Sequence, residues 1–257
     1  MMRSAQLKRL SGKVALVTGA GQGVGLGIAL ALSAAGTRVA LTGRTASKLE
    51  AARQLIEERG GQALAIPCDV KDPSSLEACV NQVVTHYSGL NILVNNAQQV
   101  PGGLLHKVTD EAFEDSWQSG PLATFRLMKL CYPHLKGNGC IVNLASSAGK
   151  SWDASGNSCY GAVKEAIRQL TRGAACEWGR HGIRTNAILP LADSEALQEW
   201  AKSKPEFAAA FFASIPMKRV GDSEQDIGRF VVALCSDDCR YVNGQSIALD
   251  GGQAFLG

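Results

Sequence analysis

A tyrosine and a lysine four residues apart, Tyr160 and Lys164, carry the most chemistry in this chain. On a helix, residues i and i+4 share one face, a turn apart. A phenol and an ammonium held side by side make a proton donor and its tuner. A free tyrosine has a pKa of about 10 and is a poor acid or base near neutrality. A neighbouring positive charge favours the phenolate and is expected to pull that pKa toward the working pH. The spacing alone is common on solvated helix faces, so the pair needs a second feature before it carries meaning.

The second feature is a glycine-rich turn, Thr18-Gly19-Ala20-Gly21-Gln22-Gly23-Val24-Gly25. It follows the apolar run Val14-Ala15-Leu16-Val17, which reads as a buried strand, and opens a helical stretch over 26–35 that stops at Gly36. Glycines can simply make turns. Between a strand and a helix, however, they let the backbone approach a phosphate, which the free N–H groups and the helix dipole then hold.

The elements that must position these residues follow an alternating pattern. Strands are predicted over 14–18, 38–42, 63–67, 92–95, 141–144, 184–188 and 246–249, with helices over 46–59, 74–87, 110–135 and 160–179 between them. Alternation of this kind argues for an α/β fold, a doubly wound parallel sheet of about seven strands with helices on both faces. No linker and no internal repeat interrupts the chain, so residues 1–257 read as one domain. Ligands of such sheets sit beyond the carboxyl ends of the strands. Arg44, Asp69, Asn95, Asn96 and Ser146 each follow a predicted strand, so polar residues from distant parts of the sequence converge on one cleft.

Composition excludes several other classes. The 257 residues are 46% hydrophobic and 19% charged with a formal net charge of +3, ordinary for a globular protein. There is no dense Lys/Arg cluster with interleaved aromatics, so nucleic acid is not an expected partner. No apolar run is long enough for a bilayer and residues 1–10 lack a signal-type core, so no membrane partner and a cytoplasmic location are expected. The eight cysteines are scattered, without zinc or disulfide spacing, and read as buried free thiols; Cys235 and Cys239 are placed one turn apart at a helix end. The four histidines form no cluster, and no metal is expected.

With these residues assembled, the chain resembles the short-chain dehydrogenase/reductase family from Gly12-Lys13-Val14 to Leu249-Asp250-Gly251-Gly252. The resemblance is carried by Thr18-Gly-x-x-x-Gly23-x-Gly25, Asp69-Val70, Asn95-Asn96-Ala97, Ser146 or Ser147, Tyr160-x-x-x-Lys164 and Asn186-Ala187-Ile188-Leu189-Pro190. It implies a Rossmann-type fold and a nicotinamide cofactor lying across the strand ends, held by Gly19, Gln22, Gly23, Val24, Gly25, Asp69, Val70, Asn96, Ala97 and Pro190. It implies that Tyr160 exchanges the proton of a carbonyl or alcohol, that Lys164 lowers its pKa and bonds the nicotinamide ribose, and that a serine holds the substrate oxygen. Position just past the fifth strand favours Ser146 for that serine; distance from Tyr160 favours Ser147.

The second strand ends in Gly43 followed by Arg44, where an acid that would bond a ribose 2′-hydroxyl is missing. A guanidinium suits a phosphate, so NADP(H) is expected in preference to NAD(H), although Gln22 is neutral where many NADP-preferring members carry a second basic residue. Three features depart from the family pattern. Gly120, before Pro121, stands where the family has an active-site Asn; Gln98 and Leu191 stand where it usually has glycine; and the loop 150–157 is one residue longer than usual. Gln98, Ser147, Trp152 and Leu191 are candidate substrate contacts, and 192–216 is the expected lid. The expected activity is an NADP(H)-dependent carbonyl reductase or secondary alcohol dehydrogenase acting on a small molecule. The alternatives are a non-redox enzyme on the same fold, disfavoured by the intact glycine turn and Lys164, and a cofactor-binding sensor or assembly partner with weak or no catalysis, favoured only by the lost Asn. Family members are commonly tetramers or dimers, and a homo-oligomer is expected through the helices at 113–135 and 160–179, with an apolar tail at 253–257.

Overall fold

The computed structural model describes residues 9–150 and 156–254. Seven parallel strands form its sheet: β1 (Val14–Thr18), β2 (Arg38–Gly43), β3 (Gln62–Pro67), β4 (Ile92–Asn95), β5 (Gly139–Leu144), β6 (Ile183–Pro190) and β7 (Ser246–Leu249), in the order β3-β2-β1-β4-β5-β6-β7. The helices are α1 (Gly23–Ala34), α2 (Ala46–Glu58), α3 (Pro73–Tyr87), α4 (Asp110–Trp117), α5 (Ala123–Leu135), α6 (Ser158–Trp178), α7 (Glu195–Ser203), α8 (Pro205–Ser214) and α9 (Arg229–Cys235).

The strands are apolar on both sides because both faces are covered. Along β1 the side chains alternate: Ala15 and Val17 pack into a core with Ile28 and Leu32 of α1, Leu49 and Ile56 of α2 and Val231 of α9. Val14 and Leu16 face the other way, onto Leu76 and Val83 of α3 and Leu127 and Cys131 of α5. The order reverses between β1 and β4, and the carboxyl ends of these neighbours open the crevice in which such sheets bind ligands.

The one long helix expected over 110–135 is broken. Between α4 and α5 the chain makes a wide π-helical turn, Gln118–Leu122, with Pro121 inside it. Proline has no N–H for the ladder and its ring crowds the preceding turn, so the helix takes up an extra residue there. The expected lid, 192–216, contains α7 and α8, on which Trp200 packs edge-on to Phe211 and Phe212. Cys235 ends α9 while Cys239 ends a separate 3-10 turn, and Cys235 hydrogen-bonds Cys140 of β5 instead. Six of the eight cysteines are buried, but Cys176 is exposed and Cys239 half-buried, so the thiols are not uniformly interior.

Candidate active site

The glycine turn is a cradle that side chains would fill. Gly19 sits at φ +65°, and a Cβ there would lie 2.7 Å from Asn96 Nδ2. A Cβ on Gly25 would lie 2.3 Å from the Gly19 carbonyl oxygen, a clash of backbone with backbone. The turn is braced from β4. Asn96 Nδ2 donates to the carbonyls of Thr18 at 2.8 Å and Gly19 at 3.1 Å, and Thr18 Oγ1 accepts from the N–H groups of Asn96 and Ala97 at 2.9 Å each. Asn95 does not face the cleft: its Nδ2 donates to Asn143 Oδ1 at 2.8 Å inside the sheet. Gln22 begins α1 without a side-chain cap bond, so the first N–H groups of that helix are left for an anion.

A cleft of about 380 Å³ runs along this cradle. Of the residues expected from the sequence, Gly19, Gln22, Gly23, Val24, Gly25, Arg44, Asp69, Val70, Asn96, Ala97 and Gln98 line it. Ser146, Ser147, Tyr160, Lys164, Pro190 and Leu191 do not. Pro190 ends β6, and Leu191 lines another cavity with Met217, Asp226 and Gly252. Trp152 lies outside the described residues. Lys48 of α2, not among the expected residues, also lines the cleft and bonds both Gln22 Oε1 and Glu195 Oε2, the latter at 2.9 Å. No local pattern marks it: Arg44 lies before Thr45, the cap of α2, so the two cations do not share a helix face. Cys68 also lines the cleft and hydrogen-bonds Cys79, Ser75 and Thr42.

The Tyr160 and Lys164 side chains meet on α6. Lys164 Nζ lies 5.5 Å from the Tyr160 ring centroid and donates to the carbonyl of Leu144 at 2.6 Å. The Tyr160 hydroxyl hydrogen-bonds Ser146, whereas Ser147 begins the 3-10 turn Ser147–Lys150. The charge logic differs from the expectation. Burial pushes the Tyr160 phenol above its ordinary value of 10.0, and the Ser146 hydrogen bond is what opposes it. Burial also pushes the Lys164 ammonium from 10.5 down to about 7. A lysine only partly charged near neutrality is a weak partner for a phenolate, so desolvation outweighs the ion–phenol attraction. The two departures from the family pattern at 98 and 120 touch each other: a Cβ on Gly120 would lie 3.0 Å from the Gln98 carboxamide.

Among the described residues no group of three His, Cys, Asp or Glu side chains is placed to hold a metal, and no helix is long and apolar enough to cross a membrane. The clashes that any side chain would cause at Gly19 and Gly25, and the uncapped start of α1, fit a dinucleotide with its pyrophosphate on the turn.

Known proteins agree. The family profile described as Enoyl-(Acyl carrier protein) reductase matches residues 19–254. A 12alpha-hydroxysteroid dehydrogenase of Clostridium sp. is 38% identical over 250 residues, covering 94% of this chain and 96% of that protein. A tropinone reductase homolog of Arabidopsis thaliana is 34% identical over 246 residues, covering 95% of this chain and 92% of that protein. A 7 alpha-hydroxysteroid dehydrogenase structure complexed with NADH and 7-oxo glycochenodeoxycholic acid superposes with a TM-score of 0.91 at 30% identity, covering 98% of each chain. A short chain dehydrogenase of Burkholderia cenocepacia in complex with NADP superposes with a TM-score of 0.88 at 31% identity, covering 95% of this chain and 99% of that one. Glycine cradle, cleft and sheet order together with these matches make the chain a member of the short-chain dehydrogenase/reductase family, an NAD(P)-dependent oxidoreductase of small molecules.

Proposed function

We propose that the protein is an NADP(H)-dependent carbonyl reductase or secondary alcohol dehydrogenase in which Tyr160 is the general acid/base. The observation that carries this reading is the buried constellation of Tyr160, hydrogen-bonded to Ser146, beside Lys164 on the next turn of the same helix. The nicotinamide cofactor, when bound, is the hydride donor or acceptor. The chain's own residues do the rest. The glycine turn and the start of α1 would hold the pyrophosphate, Asp69 and Val70 would meet the adenine, and Arg44 with Lys48 would offer two cations to a 2′-phosphate. Burial keeps the Tyr160 phenol protonated, so the proton is in place for a carbonyl oxygen that develops negative charge, and the Ser146 hydrogen bond offsets the rise in pKa that weakens the acid. Ser146 would steady the same oxygen, and Lys164, anchored on the Leu144 carbonyl, lies beside the phenol ring.

The names of the relatives point to an alicyclic alcohol or ketone as substrate. Phe113, Trp117 and Phe125 are exposed on α4 and α5, which supports a homo-oligomer, a dimer or tetramer, through that face. The test is reduction of a panel of cyclic ketones, hydroxysteroid ketones included, with NADPH and NADH, in wild type and Arg44→Ala. Preference for NADPH that falls by about tenfold in Arg44→Ala is expected, with NADH rates unchanged. Equal use of both cofactors would remove the NADP(H) assignment. Binding without turnover across the panel would favour the sensor reading.

A further inference from the structure

Gln98 and Gly120 form a unit that neither residue explains alone. Gln98 follows β4, two residues beyond Asn96, and lines the cleft. Its Nε2 reaches Ser116 Oγ over a long 3.4 Å. Its Oε1 is buried and has no hydrogen-bond partner among the described residues. The loop that carries it is fixed to the same wide turn: Gln99 N–H donates to Ser119 Oγ at 2.9 Å, and Ser119 Oγ donates to the Asp115 carbonyl at 2.7 Å.

Gly120 makes the slot. A Cβ there would lie 3.0 Å from Gln98 Cδ, 3.0 Å from Gln98 Nε2 and 3.0 Å from Val163 Cγ1, on the residue before Lys164. That is tighter than ordinary van der Waals contact on both sides, so a methyl group at 120 would displace the carboxamide. Gly120 and Pro121 are buried, and Val163 is fully so, which leaves the slot little freedom to widen.

A buried amide oxygen with an unmade hydrogen bond is costly, and native proteins seldom keep one without a use. Beside it Ser119 Oγ and the Gln99 N–H are paired, and of the buried side-chain atoms without a partner among the described residues, Thr37 Oγ1, Asn95 Oδ1, Gln98 Oε1 and Thr185 Oγ1, only that of Gln98 belongs to a residue lining the cleft. We infer that Gln98 is a binding residue of the cleft, whose Oε1 accepts a hydrogen bond from a hydroxyl or amide N–H of the bound ligand, and that position 120 is glycine to admit its carboxamide. The donor belongs either to the cofactor, as a ribose hydroxyl or a carboxamide N–H, or to the substrate, as a hydroxyl. The inference rests on the reading of the cleft as the nicotinamide cofactor site.

The test is a double-mutant cycle with Gln98→Ala and Gly120→Ala, alongside the volume-matched Gln98→Met. NADP+ and NADPH dissociation constants are measured by fluorescence titration without substrate, and kcat and KM with a cyclic ketone. Thermal melting shows that each variant is folded; Gln98→Met keeps the packing if Gln98→Ala does not. Gln98→Met is expected to weaken one ligand about tenfold. A raised cofactor Kd identifies the cofactor as donor; an unchanged Kd with a raised KM identifies the substrate. Gly120→Ala should cost about as much alone and less than about twofold in the Gln98→Ala background. Gln98→Met with Kd and KM both within twofold of wild type overturns the binding role. A Gly120→Ala cost that is the same in both backgrounds overturns the slot. Wild-type protein that binds neither NADP(H) nor NAD(H) overturns the cofactor reading itself, whereas wild type that binds and turns over while the Gln98 variants are silent overturns only this inference.

Discussion

The glycine-turn cleft and the side-chain cluster on α6 are made of different material. At the glycine turn the site is backbone: carbonyls braced by Asn96, N–H groups at the start of α1, and positions where a Cβ has nowhere to go. At α6 the site is side chains whose protonation is set by burial, with Tyr160 pushed up and Lys164 pushed down. The first kind of site fails by steric exclusion and is indifferent to pH. The second keeps its shape on substitution and fails in its proton chemistry. Binding and turnover are therefore separable by mutation.

The largest expected effect on binding is at the backbone end. Gly25→Ala should weaken NADP+ binding roughly 100-fold in calorimetry, because the methyl would meet the Gly19 carbonyl. Gly173→Ala, where a Cβ meets nothing within 4 Å, should leave binding unchanged. Equal effects at the two glycines would break the contrast.

Lys164→Met probes the cluster on α6. The unfolded lysine titrates near 10.5 and the folded one near 7, so between those values the unfolded chain holds more protons and wild-type stability rises with pH. The substitution removes that slope. In denaturant titrations the variant should gain up to about 5 kcal/mol over wild type at pH 6, and the gain should fade toward pH 10.5. A variant less stable than wild type at pH 6 would mean that the bond to the Leu144 carbonyl outweighs desolvation.

Legibility in the sequence divides along the same line. The strands and the glycine turn were readable because apolar runs and glycines report backbone requirements directly, and all seven strands lie where the alternation put them, β1, β4 and β7 with the expected ends and the others with ends shifted by at most two residues. Tyr160 and Lys164 were readable as a pair from their spacing. The direction of their pKa values was not, because desolvation depends on what covers α6 and no spacing rule encodes that. The break in the 110–135 helix was signalled by Gly120-Pro121, but its form as a wide turn was not. Lys48 was missed because its role comes from α7, far away in sequence, whose Glu195 meets it.

Asn96→Ala sharpens the backbone side. It removes two donated bonds from the Thr18 and Gly19 carbonyls and should lower stability by about 1.5 kcal/mol in chemical denaturation, with a weaker effect on cofactor affinity than Gly25→Ala. The smallest effect belongs to the exposed pair of Lys48 and Glu195. Glu195→Gln should free Lys48 and remove a carboxylate near the Arg44 end, raising NADPH affinity about twofold at low salt and by less at high salt.

The central claim is that Tyr160 gives the proton while the glycine cradle holds the cofactor. The most direct measurement is NADPH-driven reduction of a cyclic ketone by wild type and Tyr160→Phe, with NADPH affinity determined on both. The account predicts that the phenylalanine variant binds NADPH within about twofold of wild type and loses roughly 1,000-fold in kcat. A variant that reduces the ketone at a rate close to wild type would contradict it.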